Sequence, residues 1–211
     1  MVIQAVIFDL DGVIVTTDEF HYNAWSRLCE EEGIQFTREI NNRLRGVSRQ
    51  ESLRIILEKS EKIYTEEEIV ELANRKNGYY RESLQNLTEK GILPGVSLTL
   101  DKLKKRKIKL AIGSSSKNAP KILKQIGLDS YFDAVVDGND IKYSKPDPEV
   151  FLLAAQKLGV DSKNCLIVED AEAGVTAAIA GNMKVAAIGE ACKCKKAHYN
   201  LQNIEELLSI C

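Results

Sequence analysis

Val6-Ile7-Phe8-Asp9-Leu10-Asp11-Gly12-Val13-Ile14-Val15-Thr16-Thr17 is the stretch around which the rest of the chain arranges itself. An apolar run from Val2 to Phe8 ends in two aspartates with one residue between them. The run is short, partly β-branched and followed by glycine, which predicts a buried strand. Asp9 and Asp11 then stand at the strand's C-terminal end, the edge at which open parallel α/β sheets bind ligands. Two carboxylates there can hold a cation, attack an electrophile or move a proton. The same residues also suit a strand followed by an ordinary Asp-Gly turn, and the residues further along must separate the two.

Residues 18–90 predict helices. Phe20, Ala24 and Leu28 recur at helical spacing over residues 18–32, with His21 and Trp25 on an adjoining line and Gly33 as the stop. Ser48 with Glu51, and Thr65 with Glu68, are capping-box patterns that open two more helices. From Leu93-Pro94-Gly95 onward the pattern changes. Strands are predicted at 108–113, 134–137, 165–168 and 185–188, and helices at 96–106, 118–125, 148–158 and 172–180, with a last helix starting between Asn203 and Glu206. Strands alternating with helices of this length predict a Rossmann-like α/β parallel sheet covered on both faces. The opening strand belongs to that sheet. The expected division is a core of residues 1–16 and 91–211, with residues 17–90 inserted as an α-helical cap.

The chain has 211 residues, room for one large domain or a domain with an insertion. A net charge of −2 removes any broad electrostatic pull toward nucleic acid or membrane. No signal peptide and no transmembrane run is visible. The five cysteines, Cys29, Cys165, Cys192, Cys194 and Cys211, are odd in number and lack a paired zinc spacing, so a reducing cytoplasm is expected. Cys192-Lys193-Cys194 with His198 suits either a soft metal or a plain loop.

Each polar cluster of note follows a predicted strand: Asp9/Asp11, Ser114 to Asn118, Lys145 before Pro146, and Glu169/Asp170. Singly, these read as a turn, a helix cap, a solvated lysine and a complement to a helix dipole. Together they point to one site outside the strand ends. Asp9, Glu169 and Asp170 are hard oxygen ligands suited to Mg²⁺. Ser114 and the amides after it can hold phosphate oxygens. Lys145 adds a fixed positive charge, and the set would stabilise a transferring phosphoryl group. Asp11, two residues beyond Asp9, is placed for acid–base work on a hydroxyl.

Phe8-Asp9-Leu10-Asp11-Gly12-Val13, Ser114, Lys145-Pro146 and Glu169-Asp170 resemble the four ordered motifs of the haloacid dehalogenase superfamily, and the helical insertion resembles its cap. The resemblance covers essentially the whole chain. It implies that Asp9 is a nucleophile forming an aspartyl-phosphate. It also implies magnesium held by the Asp9 carboxylate, the Asp11 main-chain carbonyl, Glu169 and Asp170. A finer resemblance, to the β-phosphoglucomutase family, rests on Thr17, His21, Trp25, Arg45 to Leu53, Arg75-Lys76-Asn77, Ser114 to Asn118 and Tyr131 to Ala134. It implies interconversion of β-D-glucose 1-phosphate and glucose 6-phosphate through β-glucose 1,6-bisphosphate. Arg49 would grip the phosphate not being transferred, a task suited to a guanidinium. Thr17, Trp25, Arg45, Gly46, Val47 and Ser52 would belong to the cap's substrate surface, Lys76 would reach the sugar, and His21 would help position Asp11. Ser115, Ser116, Lys117 and Asn118 would meet the substrate from the core. A sugar-phosphate phosphatase shares every core motif, and a non-catalytic Mg²⁺- or phosphate-binding module is the rival of another class. The partner expected is a small sugar phosphate, acted on by a monomer.

Overall fold

The computed structural model describes residues 2–44, 47–60 and 62–211. Its centre is strand β1 (Ala5–Phe8), four residues without solvent exposure. β1 pairs in parallel with β2 (Lys109–Gly113) on one side and β4 (Cys165–Glu169) on the other. β3 (Ala134–Val136), β5 (Lys184–Ile188) and β6 (Tyr199–Leu201) complete a six-stranded sheet of order β3-β2-β1-β4-β5-β6. All its pairings are parallel. That order reverses direction at β1, so a crevice opens between the ends of β1 and β4, where doubly wound folds place their ligands.

Burial on both faces explains why the strands are apolar without alternation. Val6 and Phe8 face one cluster with Leu110, Ile112 and Leu166, covered by α5 (Val96–Lys105) and α6 (Ala119–Gln125). Ala5 and Ile7 face the other, with Phe151 of α7 (Glu149–Leu158) and Val175 of α8 (Glu172–Ala180).

The inserted helices are α1 (Asp18–Glu32), α2 (Arg38–Asn42), α3 (Arg49–Leu57) and α4 (Glu66–Ser83). They enclose an apolar cluster of their own around Trp25, Leu28, Leu53, Ile56 and Leu72. Ala24, Tyr80 and Leu84, at the base of the insertion, pack instead into the sheet's cluster. The two chain crossings lie side by side. Thr16 N–H donates to Gly91 O and Leu93 N–H to Ile14 O, both at 3.0 Å.

Sequence and structure differ at a few elements. The opening strand begins at Ala5, not Val2. Thr65 and Glu68 form the full reciprocal box, whereas at Ser48 only the hydroxyl cap on Glu51 N–H forms. The Glu51 carboxylate lies 3.9 Å from Arg54 instead. Helix α2 and edge strand β6 have no counterpart in the periodicity reading. Residues 189–194, which include Cys192 and Cys194, form a 3₁₀ segment. The Cys192 thiol faces the carbonyls of Ala187 and Leu201, and His198 Nδ1 accepts from Val185 N–H. This is the loop alternative, not the soft-metal one. Among the described residues the only metal-competent cluster lies elsewhere. No helix among them is long and apolar enough to cross a membrane. C-terminal to Asn203, a 3₁₀ turn precedes the short α9 (Leu207–Ile210).

Candidate active site

At the end of β1, Asp9 N–H donates to Val168 O at 2.9 Å, which places Asp9 beside Glu169 at the end of β4. Asp9, Glu169 and Asp170 are all buried, and one carboxylate oxygen from each lies within 4.8 Å of the others. Burying acids side by side is costly unless cations answer them. Lys145 is one such cation. Its Nζ donates to Asp9 Oδ1 at 2.5 Å and to Glu169 Oε2 at 2.8 Å, and its side chain is 2% exposed. Burial works against this charge, but Asp9 and Glu169 outweigh it and raise the lysine's pKa, so it stays ionised. Burial pushes Glu169 upward, to about 7, with Lys145 opposing.

The acidic cluster also fits a small, hard divalent cation, because its donors are all carboxylate oxygens. Bare backbone makes room for them. At Gly12, where φ is +85°, a Cβ would stand 2.1 Å from the Asp170 carboxylate. At Gly174 in α8 it would stand 2.0 Å from that of Glu169. Gly174 has no signature in the local sequence. Only its place opposite β4 reveals its use.

Asp11 sits on the tight return after β1, where Gly12 N–H donates to Val15 O at 2.8 Å. The Thr17 hydroxyl, at the N-cap of α1, donates to Asp11 Oδ1. Burial, reinforced by the charge of Asp9, pushes Asp11 up to about 7, with the Thr17 hydrogen bond opposing. Ser114 follows β2. Its Oγ accepts from Ser116 N–H at 3.1 Å, and Ser115 Oγ accepts from Lys145 N–H at 3.4 Å. The post-β2 loop and the lysine loop are thereby tied together.

A cleft of about 1100 Å³ joins these residues to the inserted helices. It brings together Asp9, Asp11, Ser114 to Asn118, Lys145, Glu169 and Asp170 on the sheet side. His21, Trp25, Val47, Arg49, Ser52 and Lys76 face them from the insertion. Thr17 is not among the residues lining it: its side chain is buried, and its hydroxyl donates to Asp11. Arg45 and Gly46 lie outside the described residues.

Lys76 is 2% exposed, and its Nζ lies 2.9 Å from His21 Nδ1, under the rings of Trp25 and Tyr80. Burial, then the charge of Arg49, hold its pKa well below the ordinary lysine value. Burial, then Lys76, likewise lower that of His21. His21 thus faces Lys76, and the hydroxyl at Asp11 belongs to Thr17. Arg49, in the first turn of α3, has no carboxylate partner among the described residues. Asn118 Nδ2 donates to Asn77 Oδ1 at 2.9 Å, joining α4 to the sheet side.

Fold and site together define a class: a Rossmann-like α/β enzyme with helices inserted after its first strand and an acid–lysine centre at the switch point. The haloacid dehalogenase-like hydrolase family model matches residues 6–188, and the chain belongs to that family. It is 44% identical over 189 residues to the β-phosphoglucomutase of Bacillus subtilis, covering 89% of this chain and 84% of that protein. It is 33% identical to the phosphorylated carbohydrates phosphatase of Thermotoga maritima, covering 83% and 80%. The crystal structure of β-phosphoglucomutase from Clostridium difficile superposes with a TM-score of 0.90 at 40% identity, covering 98% of this chain and 93% of that one.

Proposed function

We propose that the protein is a Mg²⁺-dependent phosphotransferase that interconverts β-D-glucose 1-phosphate and glucose 6-phosphate through β-glucose 1,6-bisphosphate. The observation that carries this reading is that groups able to take a phosphate line both walls of the cleft. One is the floor of Asp9, Ser114 and Lys145, and the other is the guanidinium of Arg49 in the opposite wall, which has no carboxylate partner among the described residues. A phosphatase needs one such place, whereas a mutase must hold a bisphosphate in either orientation. The 44% identity to a β-phosphoglucomutase supports the same choice.

In this reading residues 17–90 are a cap over the core of residues 1–16 and 91–211. A carboxylate oxygen of Asp9 attacks phosphorus, and the P–O bond to the sugar breaks. Asp11 gives a proton to the departing sugar oxygen. When the 1-phosphate of the bisphosphate is the one attacked, glucose 6-phosphate leaves, and Asp9 passes the phosphoryl group to the 6-hydroxyl of an incoming β-glucose 1-phosphate, whose proton returns to Asp11, so that the bisphosphate forms again. Lys145 and Ser114 hold the transferring oxygens, and Arg49 holds the distant phosphate. Asp9, Glu169, Asp170 and the Asp11 carbonyl would bind Mg²⁺, which when bound would supply positive charge against the negative charge on the phosphoryl oxygens. His21, Trp25, Val47, Ser52 and Lys76 line the sugar's side of the cleft, with Ser115, Ser116, Lys117 and Asn118 opposite. Each chain carries a whole cleft, so a monomer suffices, and five free cysteines suit a reducing cytoplasm.

The test is incubation with β-glucose 1-phosphate, a trace of the bisphosphate and Mg²⁺. Glucose 6-phosphate is the expected product. Free phosphate alone would make the protein a phosphatase, and an unchanged substrate would overturn both.

A further inference from the structure

We infer that Tyr143 is a specificity-determining residue, its ring forming the platform on which the apolar face of a sugar ring rests. The inference deepens the sugar-phosphate reading above and rests on it.

The chain has seven tyrosines. Six have their rings against another ring or a cation. Tyr22 stacks on Phe36 under Arg38, Tyr64 meets Lys62, and Tyr79 meets Arg27. Tyr80 packs on His21, Tyr131 lies between Phe132 and Lys104, and Tyr199 faces Lys184. Tyr143 has no such partner among the described residues, nor one for its hydroxyl. It is 65% exposed, and it borders the cleft. A lone exposed ring on an open surface would mean little. This one stands at the mouth of the site.

Its backbone is held firmly. The N–H groups of Lys142 and Tyr143 both donate to Glu149 Oε2, at 2.9 and 2.8 Å. Glu149 opens α7, so the loop is fixed to a regular element. Two residues on, Lys145 reaches Asp9. The backbone that carries the ring is therefore held in place close to the reacting carboxylate, so the loop itself need not be ordered on binding.

The rest of the cleft explains what the ring is for. Charged and hydroxyl groups can take phosphates and sugar hydroxyls, but a pyranose also has a face of C–H groups. Trp25 borders the cleft at 2% exposure, its ring spent on covering Lys76. His21 is stacked on Tyr80. That leaves Tyr143 as the exposed aromatic surface among the described residues of the cleft. From the opposite wall, α4 presents Val70 at 43% exposure, a second apolar surface on the same space. Small-molecule sites combine few polar anchors with apolar and aromatic walls in this way.

The experiment is calorimetric binding of glucose 6-phosphate and of glycerol 3-phosphate, which has a phosphate but no ring, to wild type, Tyr143→Phe and Tyr143→Ala in Mg²⁺. Wild type should prefer glucose 6-phosphate. Tyr143→Ala should weaken glucose 6-phosphate by about tenfold and leave glycerol 3-phosphate within about twofold. Tyr143→Phe should restore the preference. Equal weakening of both ligands, no effect on glucose 6-phosphate, or no ring preference in wild type would overturn the platform. Mutase turnover by wild type is scored separately. If it is absent while the ring preference exists and vanishes in Tyr143→Ala, the platform stands and the mutase reading falls.

Discussion

At the scale of single residues, Lys145 is the hinge of the site's electrostatics. It is the cation between two carboxylates that the fold has taken out of water. Removing one partner of a buried ion pair is far more damaging than never having built it. Lys145→Met should therefore end phosphoryl transfer and, without divalent cation, lower stability by about 3–5 kcal/mol. Asp9 and Glu169 would then face each other with less to separate them, so an added cation should bind the variant more avidly. Melting curves with and without Mg²⁺ check this. The Mg²⁺-induced rise in Tm should be larger for the variant than for wild type, and an equal rise would mean that Lys145 and the metal do not share those carboxylates.

At the scale of elements, much of the fold was legible because each of its signals is short-range. Gly33, Thr65 with Glu68, and the apolar strands act over a few residues, and the structure has them where periodicity and capping put them. Helix α2 has five residues, too few to show a period, and β6 has three at the sheet's edge, held by pairing with β5. The contact of Thr17 with Asp11 and the role of Gly174 were illegible for a different reason. Their roles are contacts with residues distant in the chain or across a turn, and neither has a local signature. Gly174 gives this a test. In a helix interior, Gly→Ala ordinarily stabilises by about 1 kcal/mol. Here the new methyl would sit 2.0 Å from the Glu169 carboxylate, which Lys145 and Ala171 N–H hold in place. Gly174→Ala should displace Glu169 and raise the Mg²⁺ concentration for half-maximal activity by about tenfold or more, despite the better helix former. Unchanged Mg²⁺ dependence would show that Glu169 can yield without leaving the cluster.

At the scale of the whole molecule, the cleft lies between the sheet's strand ends and the inserted helices. The insertion has its own apolar cluster, joins the sheet through two adjacent crossings, and touches the other wall through Asn77 and Asn118. Such an arrangement can close on a substrate that spans it, and closure also keeps water from a phosphorylated Asp9. A bisphosphate spans it only if the insertion offers a grip of its own, and in the proposed function Arg49, which opens α3 and lines the cleft, is that grip. Charge-assisted hydrogen bonds to a phosphate are worth about 1.5–3 kcal/mol. Arg49→Ala should thus cut bisphosphate-dependent mutase turnover by about 10–100-fold. A small donor such as acetyl phosphate engages only the floor, so phosphorylation of Asp9 by it should change by no more than about threefold. The contrast between the two assays carries the inference, since a general loss of fold would lower both. If both fall together, the distant phosphate is held elsewhere and the insertion's part in catalysis reduces to shielding Asp9.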